Sequence, residues 1–384
     1  MSEQNILIIG NGFDLALGLP TRYVDFITFM KYLPKYSSTH NSSKINTSSF
    51  SKLYISKDKS MEEDPAKSKR TVRDFFNYCF PKEGAQPYYN AHKKLDSLRN
   101  NNALLQYFFE APYAKEGWID FEAEIESLIG LMFEYFQDAS PFNLSRLGDI
   151  DGKFARLNCI LNGRESLSQT AFFDVLKDDL NGLIIALDYY LTYFVSNLPI
   201  RKKMKCLYDL EISNILSFNY TTTYSETGIH LSSKCIHHIH GHHSVFQSEK
   251  PSHNIVLGIR DAFTNREDVY DIIYFKKHFQ RIQQRTGNTY KKWFRAANLY
   301  NDPSPAKSLN FYIIGHSLDT TDQDILRECI CNKATNSVKI YYYSQSDYEQ
   351  KVINLLKVLS RDTFEELYYN ETITFHELEM ISGF

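Results

Sequence analysis

No stretch of this 384-residue sequence approaches eighteen uninterrupted apolar residues, which argues against a membrane-spanning helix. The start, MSEQNILIIGNG, carries neither a basic n-region nor an apolar h-region of signal length, so a cytoplasmic location is expected. Neither sign of charge is in excess. With 43 Lys and Arg against 46 Asp and Glu, the formal net charge of -3 gives the whole chain no strong pull toward nucleic acid or an anionic membrane. Six cysteines are scattered without a C-x-x-C, which indicates neither a disulfide framework nor a four-cysteine zinc site. Reduced, mostly buried thiols are expected. There is no internal repeat at solenoid period. The chain is instead rich in apolar residues (43%) and aromatic ones (15%), and long enough for two domains or for one with a large insertion.

The stretch NILIIGNGFDLALGLPT (5–21) organises the rest. Ile6 to Ile9 form a continuous apolar run that stops at Gly10-Asn11-Gly12, the pattern of a buried parallel strand entering a tight turn. Glycines there permit positive φ and close approach of a ligand, and amides at a following helix start can face a phosphate. The match to G-x-G-x-x-G is incomplete, because the next glycine is Gly18. A Ser-, Asn-, Thr- and Lys-rich stretch at 37–70 reads as a mobile polar loop, and helical periodicity runs from about 71 to 205. Strand-like runs return at 212–218, 235–240, 254–259, 310–315, 337–343 and 371–376, with helical stretches at 321–333 and 346–359. The expected fold is α/β: a mainly parallel, Rossmann-like sheet with helices on both faces and a large helical insertion. Residues 1–32 and 206–384 would form the nucleotide-binding domain, and 33–205 the loop and insertion.

Open α/β sheets bind ligands at the carboxyl ends of their strands, and the candidate chemistry lies there. Asn219 leaves the strand that ends at Phe218. His240-Gly241 sets an ionisable group beside a residue that permits close approach. The run FYIIGHSLDTTDQDIL (311–326) repeats the strand-turn-helix of the opening, with Gly315, His316, Ser317 and Asp319 in its loop. A serine-hydrolase reading of G-H-S-L-D fails because Asp319 stands where G-x-S-x-G needs a small residue. Five histidines at 237, 238, 240, 242 and 243 invite a metal, but strand alternation splits them between faces and no zinc-type spacing is present. No metal site is expected, and His237, His242 and His243 read as dispensable polar surface. The carboxylates Asp120, Glu122, Glu124 and Glu126 at a helix start are sufficiently explained by the helix dipole. The segment 276–295, KKHFQRIQQRTGNTYKKWFR, is basic and aromatic, and fits either a solvated helix face or a phosphate-contacting patch.

Together, GNGFDLALGLPT, the W-x-D-F-E at Trp118 to Glu122, F-N-Y at 218–220, H-I-H-G at 238–241, G-H-S-L-D-x-x-D at 315–322 and YEQKVINLL at 348–356 resemble the AbiH family of bacterial abortive infection proteins, which act against phage. The order of glycine loop, strand-end Asn, His-Gly and late Gly-x-Ser loop is also similar to sirtuin-like folds, which cleave the nicotinamide-ribose bond of NAD. That resemblance implies Asn219 and His240 as catalytic residues, and Gly10, Asn11, Gly12, Asp14, Gly241, Gly315, His316, Ser317 and Asp319 as the nucleotide site. It departs at Asn11, at Phe13-Asp14 and at Thr221, where an acidic residue is usual, and it lacks the zinc cysteines of protein deacylases. Deacylation is therefore not expected. The implied activity is an NAD glycohydrolase with NAD as substrate and no required cofactor. A toxic activity of that kind needs control, for which a phage-derived trigger and a homo-oligomer are the partners to consider. A nucleotide-binding sensor without turnover, and a nucleic-acid binder or nuclease using 276–295, stay open.

Overall fold

Ile6, Leu7, Ile8 and Ile9 are all completely buried in β1 (Gln4–Ile9), as only a strand covered on both faces allows. Ile6 and Ile8 enter one apolar core with Leu216, Phe311, Ile313 and Ile340. Leu7 and Ile9 enter the other, with Phe13, Leu17, Ile215 and Ile314. In the computed structural model, residues 3–37, 86–110, 120–137, 159–198, 200, 202–244, 253–259, 270–297 and 308–382 are described.

Around β1 the sheet comprises β3 (Asn214–Ser217), β4 (Ile236–His238), β5 (Leu309–Ile314), β6 (Thr335–Tyr342) and β7 (Ile373–Glu377), all parallel, in the order β4-β3-β1-β5-β6-β7. Numbered by appearance within the sheet, that is the doubly wound order 3-2-1-4-5-6, whose topological switch point lies between β1 and β5. Ile8 fixes the centre, opposite Leu216 on one side and Ile313 on the other. A separate two-stranded antiparallel sheet joins β2 (Lys202–Met204) to β8 (Met380–Ser382).

The chain divides into two compact units. One is Met1–Leu19 with Pro199–His242 and Gln284–Phe384, which holds the whole sheet. The other is Pro20–Leu198 with His243–Gln283. These bounds differ from the expected 32 and 206. The helix α2 (Tyr23–Ser37) belongs with the helical unit because its apolar face meets that unit's aromatic core: Phe26 lies 5.5 Å from Tyr190, and Phe29 lies 4.4 Å from Phe194. The expected polar loop lies outside the described residues beyond Ser37.

The long helix Gln169–Tyr193 forms the spine of the helical unit. Gly182 is needed on it, because a Cβ there would come within 2.5 Å of Asn102 Nδ2, which donates to the Asp179 carbonyl at 2.6 Å. The carboxylates near Asp120 have structural partners. Asp120 accepts from the backbone N–H groups of Glu122 and Ala123, Glu124 accepts from the Tyr107 hydroxyl, and Glu122 pairs with the buried Lys277 at 2.7 Å. The run NIVLGI at 254–259 is not the strand expected of it. Its Ile255, Val256, Leu257 and Ile259 are completely buried, but the Gln280 carboxamide accepts from Leu257 N–H at 2.9 Å and donates to Leu257 C=O at 3.0 Å, standing in for a neighbouring strand.

Candidate active site at the carboxyl ends of the strands

Two loops meet at the switch point. Gly10 ends β1 and leads into α1 (Asn11–Leu17), and Gly315 ends β5 with φ +69°. Gly12 N–H donates to the Gly315 carbonyl at 2.8 Å. A Cβ on Gly315 would lie 2.0 Å from Phe13 N, and one on Gly10 would lie 2.6 Å from His316 Cα. These glycines let the loops lock backbone to backbone, a packing reason that is independent of any ligand. Tyr343, beyond the end of β6, donates its hydroxyl to the Gly12 carbonyl. Asn11 and Ser317 are exposed at the rim.

Asp14 faces inward from α1 and is 1% exposed. Its two carboxylate oxygens accept from the hydroxyls of Thr221, at 2.5 Å, and Thr223. Burial pushes its pKa up to about 6, against the opposing effect of those two hydroxyls and of Asn219 nearby. Because the folded state holds the Asp14 proton more tightly than the unfolded chain, stability falls as pH rises from about 4 to about 6 and the full penalty is present above that. A shift of about two units corresponds to roughly 3 kcal/mol. Asp14→Asn is therefore expected to raise the thermal midpoint at pH 8, with the gain shrinking below pH 6 and vanishing only below about pH 3, where wild type is protonated in both states. Equal midpoints at pH 8 would contradict this account of Asp14.

Asn219 follows β3 and is held at its backbone. Its N–H donates to Ser217 Oγ at 3.1 Å, and its carbonyl receives contacts from Ser217 Oγ and from His238 Nδ1 at 3.2 Å. The Tyr224 hydroxyl lies 3.1 Å from His238 Nε2, which fixes that ring in turn. The Asn219 side chain differs. It is buried, near enough to Asp14 to favour the charged carboxylate, yet neither Oδ1 nor Nδ2 meets hydrogen-bond geometry with any described residue. A buried carboxamide with both polar atoms unsatisfied is costly and rare, and calls for an explanation such as a ligand.

His240 is also buried, with its Nε2 3.1 Å from Asp322 Oδ1 and its ring edge-on to Phe218. The other Asp322 oxygen lies 3.7 Å from His316 Nε2. His316 accepts the Leu318 N–H at its Nδ1, so its remaining ring proton sits on Nε2, toward Asp322. The loop around His316 is pinned by the buried Lys351, which donates to the His316 carbonyl at 2.8 Å, and by Asn354, which donates to the Ser317 carbonyl at 2.8 Å. Leu318, buried at φ +60°, and Gly241 at φ +72° take left-handed conformations beside these histidines. Asp319 caps the 3-10 turn Thr320–Asp322, accepting from Thr321 N–H at 3.0 Å.

The other histidines are not simply polar surface. His237 is buried, stacked on Tyr290 at 5.4 Å, with Nε2 3.0 Å from the Thr286 carbonyl. In the helical unit His243 is buried in a network in which Asp188 accepts from Ser244 N–H at 2.7 Å and Oγ at 2.9 Å. His242 is half-buried, 5.2 Å from His238. Among the described residues, no group of three or more His, Cys, Asp or Glu side chains is placed to hold a metal ion. Among the described thiols only Cys329 is fully buried, against the expectation of mostly buried ones. No described helix is long and apolar enough to cross a membrane.

Sequence reasoning missed Asp322, Thr221, Thr223 and Tyr343. Asp322 was in view as the last residue of G-H-S-L-D-x-x-D, but a carboxylate before a helix reads first as a cap.

The fold and these loops define a doubly wound α/β protein, its six-stranded sheet all parallel, with buried polar groups gathered at the carboxyl ends of its central strands. The model of the family described as bacteriophage abortive infection AbiH matches residues 6–344, nearly the whole chain, and the chain belongs to that family. Its role is therefore in abortive infection, a defence against phage. The YEQKVINLL stretch lies beyond the matched residues. No curated protein and no solved structure matches the chain.

Proposed function

We propose that this protein acts in phage defence by hydrolysing NAD at the nicotinamide-ribose bond, in the sirtuin-like site formed by the strand-end loops. The supporting observation is the Asn219 carboxamide, buried and without a hydrogen-bond partner among the described residues, with Asp14 nearby in the same unit. Nicotinamide leaves a cationic ring as a neutral molecule, so the reaction needs no general acid and no cofactor. It needs a group to orient ribose or water, a base and stabilisation of an oxocarbenium-like state. In this reading Asn219 orients, His240 takes the proton from water, and Asp14, ionised above pH about 6, contributes negative charge beside the Asn219 loop. The carbon-nitrogen bond breaks with its electron pair on nicotinamide, water oxygen bonds to the ribose carbon, and the products are ADP-ribose, nicotinamide and a proton. In this reading the exposed Asn11 and Ser317 mark the rim on which a pyrophosphate would lie, and Gly10, Gly12 and Gly315 bring the two loops that carry them together.

A nucleic-acid role for 276–295 finds less support. Lys277 is buried against Glu122 in the helical unit, and Lys291 pairs with Glu328 at 3.1 Å in the α/β unit. Tyr290, Trp293 and Phe294, which would have to stack on bases, are core residues.

The cellular consequence is measurable. During phage infection, NAD in cells carrying the wild-type protein is expected to collapse before the phage burst, and to stay level in cells carrying Asn219→Ala. Infection arrested at undiminished NAD would favour a nucleotide-binding sensor over an NADase.

A further inference from the structure

We propose that Asp322 is a positioning residue for the base, holding His240 in one tautomer and orientation and tying it to His316. The inference rests on the NAD-cleavage reading above. Asp322 occupies the N-cap position of the helix Gln323–Ile330, where an Asp side chain ordinarily accepts a backbone N–H of the first turn. Here it makes no such bond. Its carboxylate turns away instead, one oxygen 3.1 Å from His240 Nε2 and the other 3.7 Å from His316 Nε2. The capping of the preceding turn is left to Asp319. A helix cap forgone in favour of two imidazoles is a local rule broken at a strand end, where function is the usual reason.

The geometry determines where protons sit. An ionised Asp322 selects the Nε2–H form of His240, which leaves Nδ1 as the nitrogen that accepts the proton of the attacking water. It also stabilises the imidazolium that results, as the carboxylate of a Ser-His-Asp site does without being protonated itself. His316 is already committed to Nε2–H by Leu318 N–H at its Nδ1, so it turns a second N–H toward Asp322, 3.7 Å from its other oxygen. His240 meets Asp322 from the 3-10 turn and the apolar ring of Phe218 after β3, and both of these also meet His316 from the β5 loop. Lys351 stands behind His316, bound to its carbonyl and to Asp347 at 3.1 Å. His238, on the same segment as His240, is engaged with Tyr224 and the Asn219 carbonyl.

The test compares wild type, Asp322→Asn and Asp322→Glu by two readouts. The first is the pH dependence of kcat/KM for nicotinamide release. In Asp322→Asn its acid limb is expected to move about one unit or more toward lower pH, as loss of a nearby opposite charge requires, with a lowered plateau. Asp322→Glu should restore part of both. The second is the His240 ring titration followed by NMR in protein carrying labelled histidine, which needs no turnover and should show the same downward shift. Lower activity with an unmoved limb and an unmoved His240 titration would overturn the proposal and leave Asp322 a merely structural residue. If wild type releases no nicotinamide, the NAD reading fails, and the NMR shift still decides whether Asp322 governs His240.

Discussion

Asn219→Ala and His240→Ala are each expected to lower nicotinamide release by about 10²- to 10⁴-fold, the range typical of a removed acid-base or orienting group. Their stabilities should part company. Strand-end residues read from sequence as cleft or surface would change stability little, but both side chains are buried. Truncating Asn219 removes a buried carboxamide with no well-formed hydrogen bond, whose one favourable effect is on the ionised Asp14, so melting should change little. Truncating His240 removes a charge-assisted contact to Asp322 at 3.1 Å, and a loss of about 1.5 to 3 kcal/mol is expected. A structural explanation of both losses would require Asn219→Ala to melt well below wild type. Turnover near wild type in either variant would take that residue out of the mechanism.

Gly315→Ala should be the most destabilising single change at the site. Left-handed backbone costs an alanine roughly 1–2 kcal/mol. At Gly315 the added Cβ would also lie 2.0 Å from Phe13 N and 2.4 Å from Gly12 C, both backbone atoms that cannot move aside without parting the two central loops. A total above about 4 kcal/mol is expected, in the range reserved for broken cores and strained backbones. Gly228 supplies the control, since it has φ +90° with nothing within 4 Å of its Cβ position. Gly228→Ala should therefore show the conformational cost alone. Thermal melting of the two variants separates the contributions, and similar midpoints would mean that the loop junction is not as tight as the structure has it.

The sheet was legible because buried parallel strands are written as short continuous apolar runs, and Ile6 to Ile9 and Phe311 to Ile314 are such runs. The same rule misread 254–259, where burial of an apolar run was achieved with a Gln280 carboxamide in place of a strand, a long-range substitution with no local signature. The helix Arg361–Tyr369 was missed because it follows only Ser360, at φ +71°, without the usual glycine or proline break. At the candidate site, the apolar runs were enough to place Asn219, His240 and Gly315 just beyond strand ends, where the structure has them. They could not reveal which groups would face each other. Asp14 meets Thr221 across 207 positions of sequence, and His240 meets Asp322 across 82. His237 looked dispensable because alternation assigns a face but not what covers it.

The central claim is tested most directly by incubating the purified protein with NAD at pH 7.5 and separating the products. Nicotinamide and ADP-ribose appearing in equal amounts, with Asn219→Ala folded and inactive beside wild type, is the predicted result. NAD recovered intact from wild type, under conditions in which the same preparation arrests phage, would contradict it.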